Sequence, residues 1–418
     1  MALVIDGDGH YVEPASIWAK YVDPRWRERI FYATERVSQG AKATERPWTL
    51  GGAGGSDGGA LIERFVVDDF ETHLTSPEMP FTVADTMRPR GILPGRSQRG
   101  PFSECHPAGF SGEARLAVHD AEGIDAAVLF PTLGLFVGSI HEGPLADAFC
   151  HAVNRFAADY CSIAPSELFG VASLPSQDPE LAARELRRCV KEHGFVAGWI
   201  RPNPTRDGHR TLGDLSLDVL WSEAVALDVP ICIHSGTTGC EPTAGLDRAN
   251  TFLLAHAIAH PFEGMLAFGS LFQGRVFDRF PKLRVGFMES SSGWAPFWLD
   301  RLDEHCEVMG WMFDPPIARN ASQVFRDQCV IGCESEEPMV PYVQQRLGTD
   351  KVLWASDFPH FDCQMPGLVK PMLERRDMTE EERAGALQHA AAKFYKLDED
   401  AIRRSVARRR GAGSGARA

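Results

Sequence analysis

The chain has 418 residues, 44% of them hydrophobic, and its 57 acidic against 43 basic side chains give a formal charge of -14. Such a length can bury one large core, or one barrel carrying an inserted subdomain. The acidic balance argues against nucleic acid or an anionic membrane, which reward clustered Lys and Arg, and leaves a small molecule as the expected partner.

The opening stretch MALVIDGDGHYVEP lacks a basic flank leading into an apolar signal core, and no stretch approaches the roughly 18 consecutive apolar residues of a membrane span. A soluble, cytoplasmic protein is expected. In chain order, short apolar runs ending in polar residues then alternate with segments of helical periodicity. The runs are LVIDGDGH (3–10), AAVLFPT (126–132), LFGVASLP (168–175), VAGWIRPN (196–203), VPICIHSG (229–236), LRVGFMES (283–290), CVIGCES (329–335) and VLWASDFPH (352–360). Continuous apolar strands between helices predict parallel strands covered on both faces, and these eight predict an α/β fold closed into a (β/α)8 TIM barrel. An open doubly wound sheet is the rival. Against it stand the missing G-x-G-x-x-G turn after the first run and the polar residues at most run ends rather than at one switch point.

Residues 11–125 separate the first two runs, far more than one helix needs, so a long insertion at about 30–112 is expected above the barrel mouth. Within it lie a Gly-rich tip at 51–59, expected to be mobile, and two stretches, 63–70 and 77–110, without clear periodicity. Its Trp48, Phe65, Phe70, Phe81 and Phe102 suit either a flat ring substrate or simple packing. Further on, residues 144–162 align Leu145, Phe149, Val153, Phe156 and Tyr160 on one helical face. Residues 178–192 do the same with Leu181, Leu186 and Val190, and residues 214–227 with Leu217, Leu220, Trp221 and Val225. All three stripes read as core. Residues 380–396 predict a closing helix, which makes 1–400 one barrel domain. The tail 401–418, rich in Arg and Gly with no apolar face, predicts disorder. The insertion and the 252–279 segment offer apolar surface for a homo-oligomer. The ten cysteines show no CxxC or zinc-knuckle spacing and read as reduced, mostly buried thiols.

Chemistry-bearing residues gather at the run ends. Asp8 and His10, two apart, point to one side of the first strand and can converge on one ion. Alone, Asp-x-His reads more readily as a turn cap beside a satisfied His. His234 closes the fifth run and Asp357 the eighth, so four metal-competent side chains emerge at the C-terminal face, where barrel enzymes place catalysis. Asp8, His10, His234 and Asp357 are thus the expected ligands of one divalent ion, zinc first, with manganese and iron as alternatives. Glu289, ending the sixth run, is open to three roles: metal ligand, general acid or base, or cap of a helix starting near Trp294. Arg201, ending the fourth run, suits an anion clamp on substrate or a structural salt bridge. His256 and His260 share a helical face that nothing ties to the mouth, and His260 is carried as a pocket residue. His360 gives a weaker signal, and His119 reads as structural.

At these residues the chain resembles the amidohydrolase-2 family, relatives of which include 2-amino-3-carboxymuconate-6-semialdehyde decarboxylase and γ-resorcylate decarboxylase. The stretches that carry the likeness are IDGDGHYVEP, ARLAVHDAEGID, VLFPTLGL, AFCHAVNRFAADYC, IRPNP, PICIHSG, HAIAHPFEGMLA, FPKLRVGFMESSSGWAPFWLDRLDEH and LWASDFPH. The resemblance implies a (β/α)8 barrel with one divalent ion, usually zinc or manganese, held at Asp8, His10, His234 and Asp357. Many relatives have His or Glu where this chain has Asp8, and the decarboxylases carry a catalytic His where Glu289 stands. The main expectation is hydrolysis of a C-N, C-O or C-C bond in a small, aromatic substrate. There the metal lowers the pKa of bound water from 15.7 towards roughly 7, Asp357 receives the proton, His234 and Asp357 flank the reaction, and Glu289 serves the leaving group. Three alternatives stand beside it: decarboxylation of an aromatic acid, a cyclising dehydration like that of the benzoxazole-forming relatives in antibiotic pathways, and an inactive binding protein.

Overall fold

The computed structural model describes residues 2–37, 60–75, 83–86, 89, 102–236 and 239–414. Eleven strands form among these residues: β1 (Ile5–His10), β2 (Ile30–Val37), β3 (Ala60–Val67), β4 (Phe70–Thr75), β5 (Ala126–Phe130), β6 (Leu168–Ser173), β7 (Ala197–Ile200), β8 (Ile231–His234), β9 (Val285–Met288), β10 (Cys329–Cys333) and β11 (Val352–Trp354). Eight of them make one parallel sheet in the order β1-β5-β6-β7-β8-β9-β10-β11. All eight apolar runs read from the sequence are in it, because strands buried on both faces have no polar side to interrupt the pattern.

The ring is joined between its first and last strands by the backbone of the residues beyond them. Asp357 N donates to the Asp8 carbonyl at 3.1 Å and His10 N to the Phe358 carbonyl at 2.9 Å. A buried carboxylate completes this seam: Asp6 accepts from Ser356 N at 2.9 Å and from Ser356 Oγ at 2.5 Å. Gly9 makes room for it, since a β-carbon there would stand 2.6 Å from Asp6 Oδ2. Between Asp6 and Gly9 the pairing of β1 with β5 slips by one residue, a bulge that re-aims Asp8 at the strand end.

The helices pack outside the ring. Gly143–Cys161 buries Leu145, Phe149, Val153, Phe156 and Tyr160 as its spacing demands, and Pro179–His193 and Asp218–Leu227 fill the next positions. No described helix is long and apolar enough to cross a membrane, and the ten cysteines are mostly buried.

Two expectations need correction. The stretch at 63–70, which shows no clear periodicity in sequence, belongs to a three-stranded antiparallel sheet in the order β2-β3-β4. Its tight β3–β4 turn places Asp68 at φ 60°, and Arg206, on the loop that follows β7, pairs with Asp69, tying the sheet to the mouth side. Phe65 and Phe70 pack there against Phe136, while Phe102 packs against Phe110, so these three aromatics serve the core rather than a ligand. Trp48, Phe81 and the Gly-rich tip lie outside the described residues.

The tail is the second correction, because Glu399–Ser414 is a helix rather than a disordered segment. Ile402 and Val406, four apart, are a short apolar stripe, and both are buried. Its arginines find acids on the barrel: Arg409 pairs with Glu167 at 2.6 Å, and Arg410 with Asp120 at 2.8 Å and Asp125 at 2.9 Å. An Arg run therefore need not signal disorder when neighbouring helices supply the counter-charge.

Candidate metal centre

Each expected ligand stands where a strand ends. Asp8 and His10 close β1, His234 closes β8, and Asp357 follows β11 by three residues. All four are buried. His10 Nδ1 lies 2.8 Å from the Pro131 carbonyl and His234 Nδ1 2.8 Å from that of Ser235. A carbonyl only accepts, so both Nδ1 atoms carry hydrogen, and in the neutral ring Nε2 is the atom that presents a lone pair. Those two Nε2 atoms face each other at 3.3 Å. Asp8 Oδ1 sits 3.6 Å from one and 3.5 Å from the other, and Asp357 Oδ1 is 3.2 Å from His10 Nε2.

Four electron-rich atoms thus converge with no hydrogen between them, and Asp8 Oδ1 accepts no hydrogen bond among the described residues. Burial, helped by the neighbouring imidazoles of His360 and His234, pushes His10 well below the usual histidine range, so a proton does not neutralise the cluster. Two imidazoles and two carboxylates around one point are the donor set of a divalent ion, and the residues fit that role.

Glu289 comes to the rim of this cluster. Its Oε2 is 3.6 Å from His234 Nδ1, and its Oε1 is 3.4 Å from His260 Nδ1. Burial, then Asp362, Asp8 and Glu334, raise its carboxyl well above the usual range. Asp357 is raised for the same first reason, with Asp362 and Glu289 next. Both residues hold left-handed backbone, φ 46° and φ 51°, which costs a side-chain-bearing residue about 1 to 3 kcal/mol and marks a position fixed by its surroundings. The helix Trp294–Met309 has no side-chain cap, so Glu289 does not serve it in that way.

His260, on the helix Phe252–Gln273, reaches the mouth after all, since its Nδ1 donates to the Glu289 carbonyl at 2.8 Å. His256 stacks on it with ring centroids 4.3 Å apart. Arg201 does not point free into the site. It is buried in an ion pair with Glu241 at 3.1 Å and donates to the Gly236 carbonyl at 2.9 Å, the structural alternative to an anion clamp. His119 is buried with Arg115, Arg409 and Arg410 as its charged neighbours, outside the cluster.

One residue of weaker sequence signal, His360, and one that sequence reading passed over, Glu13, belong here. His360 lies with its Nδ1 2.8 Å from Asp357 Oδ1 and its ring 4.1 Å from that of His10. Its signal was the histidine three places after a strand-end Asp, in DFPH. Glu13, in HYVEP, clasps the loop after β5, accepting from Leu133 N at 2.8 Å, Gly134 N at 2.7 Å and Thr132 N at 3.3 Å.

Burial raises the Glu13 carboxyl from 4.5 to about 7 despite these three donors. The native state therefore holds a proton that the unfolded chain has released between those two values. Stability from this group is present below pH 4.5 and is lost as pH rises through 7. Chemical denaturation should show the chain losing about 2 to 3 kcal/mol from this source between pH 5 and pH 8. A Glu13→Gln variant should flatten that slope, and an unchanged slope would contradict the assignment.

The amidohydrolase family model matches residues 69–397. The γ-resorcylate decarboxylase of Rhodococcus jostii is 26% identical over 300 residues, which cover 68% of this chain and 88% of that protein. Among solved structures, an amidohydrolase of Mycobacterium avium subsp. paratuberculosis superposes with a TM-score of 0.72 at 21% identity, covering 94% of this chain and 99% of the other. A dihydroxybenzoic acid decarboxylase from a Polaromonas species, solved with manganese and the inhibitor 2-nitroresorcinol, gives 0.61 at 23% identity, covering 77% and 96%. With a match that spans most of its length, the chain belongs to the amidohydrolase family and is a metal-dependent enzyme, a hydrolase or lyase, of that superfamily.

Proposed function

We propose that the chain is a decarboxylase of small aromatic hydroxy acids that works with one divalent ion, manganese ahead of zinc. The observation that carries this reading is Glu289, a buried acid at the rim of the ligand cluster that burial, Asp362, Asp8 and Glu334 push towards its proton-bearing form. Hydrolysis, the main expectation from sequence, calls for an unprotonated base to take a proton from water. Loss of CO2 calls for a proton delivered to the ring carbon, and buried acids crowded by other acids suit that task. Support also comes from the decarboxylase relatives, and the manganese preference from the ion printed for the Polaromonas structure.

When bound by Asp8, His10, His234 and Asp357, the ion would supply Lewis-acid charge to a carboxylate and its neighbouring hydroxyl. Glu289, its backbone steadied by His260, gives its proton to the ring carbon that bears the carboxylate. The bond from that carbon to the carboxylate then breaks, its electron pair returns to the ring, and CO2 leaves. Arg201, held by Glu241, fixes the Gly236 loop rather than gripping the substrate.

The test is CO2 release from a panel of hydroxybenzoates. Chelation should reduce it to below about 1% and Mn2+ should restore it. Release of no CO2 from any member, with hydrolysis of aryl amides or esters instead, would return the reading to a hydrolase. A precursor that loses one water would point to cyclisation.

A further inference from the structure

We propose that Arg201 marks an anion-binding site that the chain fills with its own Glu241 carboxylate, and that Glu241 thereby restricts the mouth to substrates carrying a single carboxylate. The second clause rests on the reading above, in which that one carboxylate goes to the metal.

Arg201 directly follows β7. Its Nε stands 3.1 Å from Glu241 Oε1, and its Nη2 donates to the Gly236 carbonyl at 2.9 Å. The two side chains are 3% and 2% exposed, so water does not share the pair. Neither oxygen of Glu241 accepts a hydrogen bond among the described residues, and Arg201 Nη1 has no acceptor among them. The guanidinium therefore keeps a donor beyond those the pair uses.

Three glycines shape the space around it. A β-carbon at Gly138 would stand 2.0 Å from Glu241 Oε1, one at Gly239 1.8 Å from Oε2, and one at Gly236 2.1 Å from Arg201 Nη1. Backbone thus encloses the carboxylate as closely as it would a bound ligand. The segment that brings Glu241 is fastened on both sides of it. Cys240 N donates to Ser139 Oγ at 3.1 Å, and Asn203 Nδ2 donates to the Pro242 carbonyl at 3.1 Å and to Thr243 Oγ1 at 3.0 Å.

The pair adjoins the candidate centre. Gly236 lies two residues beyond the ligand His234, and Ser235 between them donates through Oγ to the His260 carbonyl at 3.3 Å. Arg201 is also among the charges that act on His260 and Glu289. Without Glu241, an arginine there would grip a second carboxylate on the ring. With Glu241 in place, that carboxylate meets a like charge instead.

The experiment has two arms, both on the full chain. In the first, Glu241→Ala leaves a buried cation unpaired and should lower Tm by about 3 to 6 °C. Excess sodium formate should restore about half of that loss or more, because an anion bound only by the folded chain stabilises it. The parent and the double variant Arg201→Met/Glu241→Ala should not respond. A Glu241→Ala chain that formate neither stabilises nor allows to fold, or an equal response in the double variant, overturns the site.

In the second arm, calorimetry on Mn2+-loaded protein compares salicylate, with one carboxylate, and 4-hydroxyisophthalate, with two. Glu241→Gln should improve the dicarboxylate about 10-fold relative to salicylate, and Arg201→Met/Glu241→Gln should abolish the gain. An unchanged ratio, or a gain that survives loss of the arginine, overturns the selectivity role. If the parent binds neither acid, the decarboxylase reading fails, while the formate arm still decides whether Glu241 fills an anion site.

Discussion

An Asp357→Asn chain is expected to fold, to take up Mn2+ at saturating concentration, and to release CO2 about 10² to 10⁴ times more slowly than the parent. Asparagine keeps an oxygen for the ion and nearly the same volume, but it carries no negative charge. The substitution therefore removes one of the two carboxylate charges that face the ion and little else. Asp8, His10 and His234 remain to hold the ion, which separates loss of chemistry from loss of metal. The measurements are single-turnover CO2 release and metal content on the same preparation. A variant that retains stoichiometric Mn2+ and parental turnover would remove Asp357 from the reaction.

The barrel was legible because each strand is apolar throughout and short, so the sequence alternates strongly between two kinds of segment. The meeting of Asp8, His10, His234 and Asp357 followed from one topological fact, that parallel strands deliver their C-terminal residues to one face. Residues off the strands escaped the same logic. His360 reaches Asp357 because the chain turns back on itself after β11, and no periodicity encodes that turn. Glu13 looked like an ordinary acid before a proline, while its role depends on amides of a loop more than 115 residues away. The β2-β3-β4 sheet was missed since its β3–β4 hairpin turns on Asp68-Asp69, with no glycine in the turn to announce it. The C-terminal helix was missed because its two buried apolar residues are diluted by arginines whose partners lie elsewhere in the fold. Arg201 was read as an anion clamp or a salt bridge, and the nearness of Glu241, 40 residues on, is not readable from the sequence.

Glu289→Gln discriminates the three roles that a strand-end glutamate leaves open. Glutamine preserves the length and the hydrogen-bond donor of a neutral carboxyl, but it cannot release a proton or bind a cation as a carboxylate does. If Glu289 works as a neutral acid at the rim, Mn2+ affinity should change by less than about 3-fold while turnover falls about 10²-fold. A ligand role would instead weaken Mn2+ binding by more than the roughly 100-fold ceiling of an orienting residue. A capping role would lower thermal stability and spare both, and the uncapped start of the helix at Trp294 already speaks against it. The acid role is favoured by the side chain's surroundings, since burial together with Asp362, Asp8 and Glu334 opposes a second full negative charge beside the centre. Its Oε2 is also buried without a hydrogen-bond partner among the described residues, which leaves that oxygen for a group on the substrate. Metal titration and turnover measured on one preparation of Glu289→Gln therefore decide whether this chain has exchanged the catalytic histidine of the decarboxylases for a carboxylic acid that does equivalent work. Parental turnover with parental metal affinity would remove Glu289 from the mechanism.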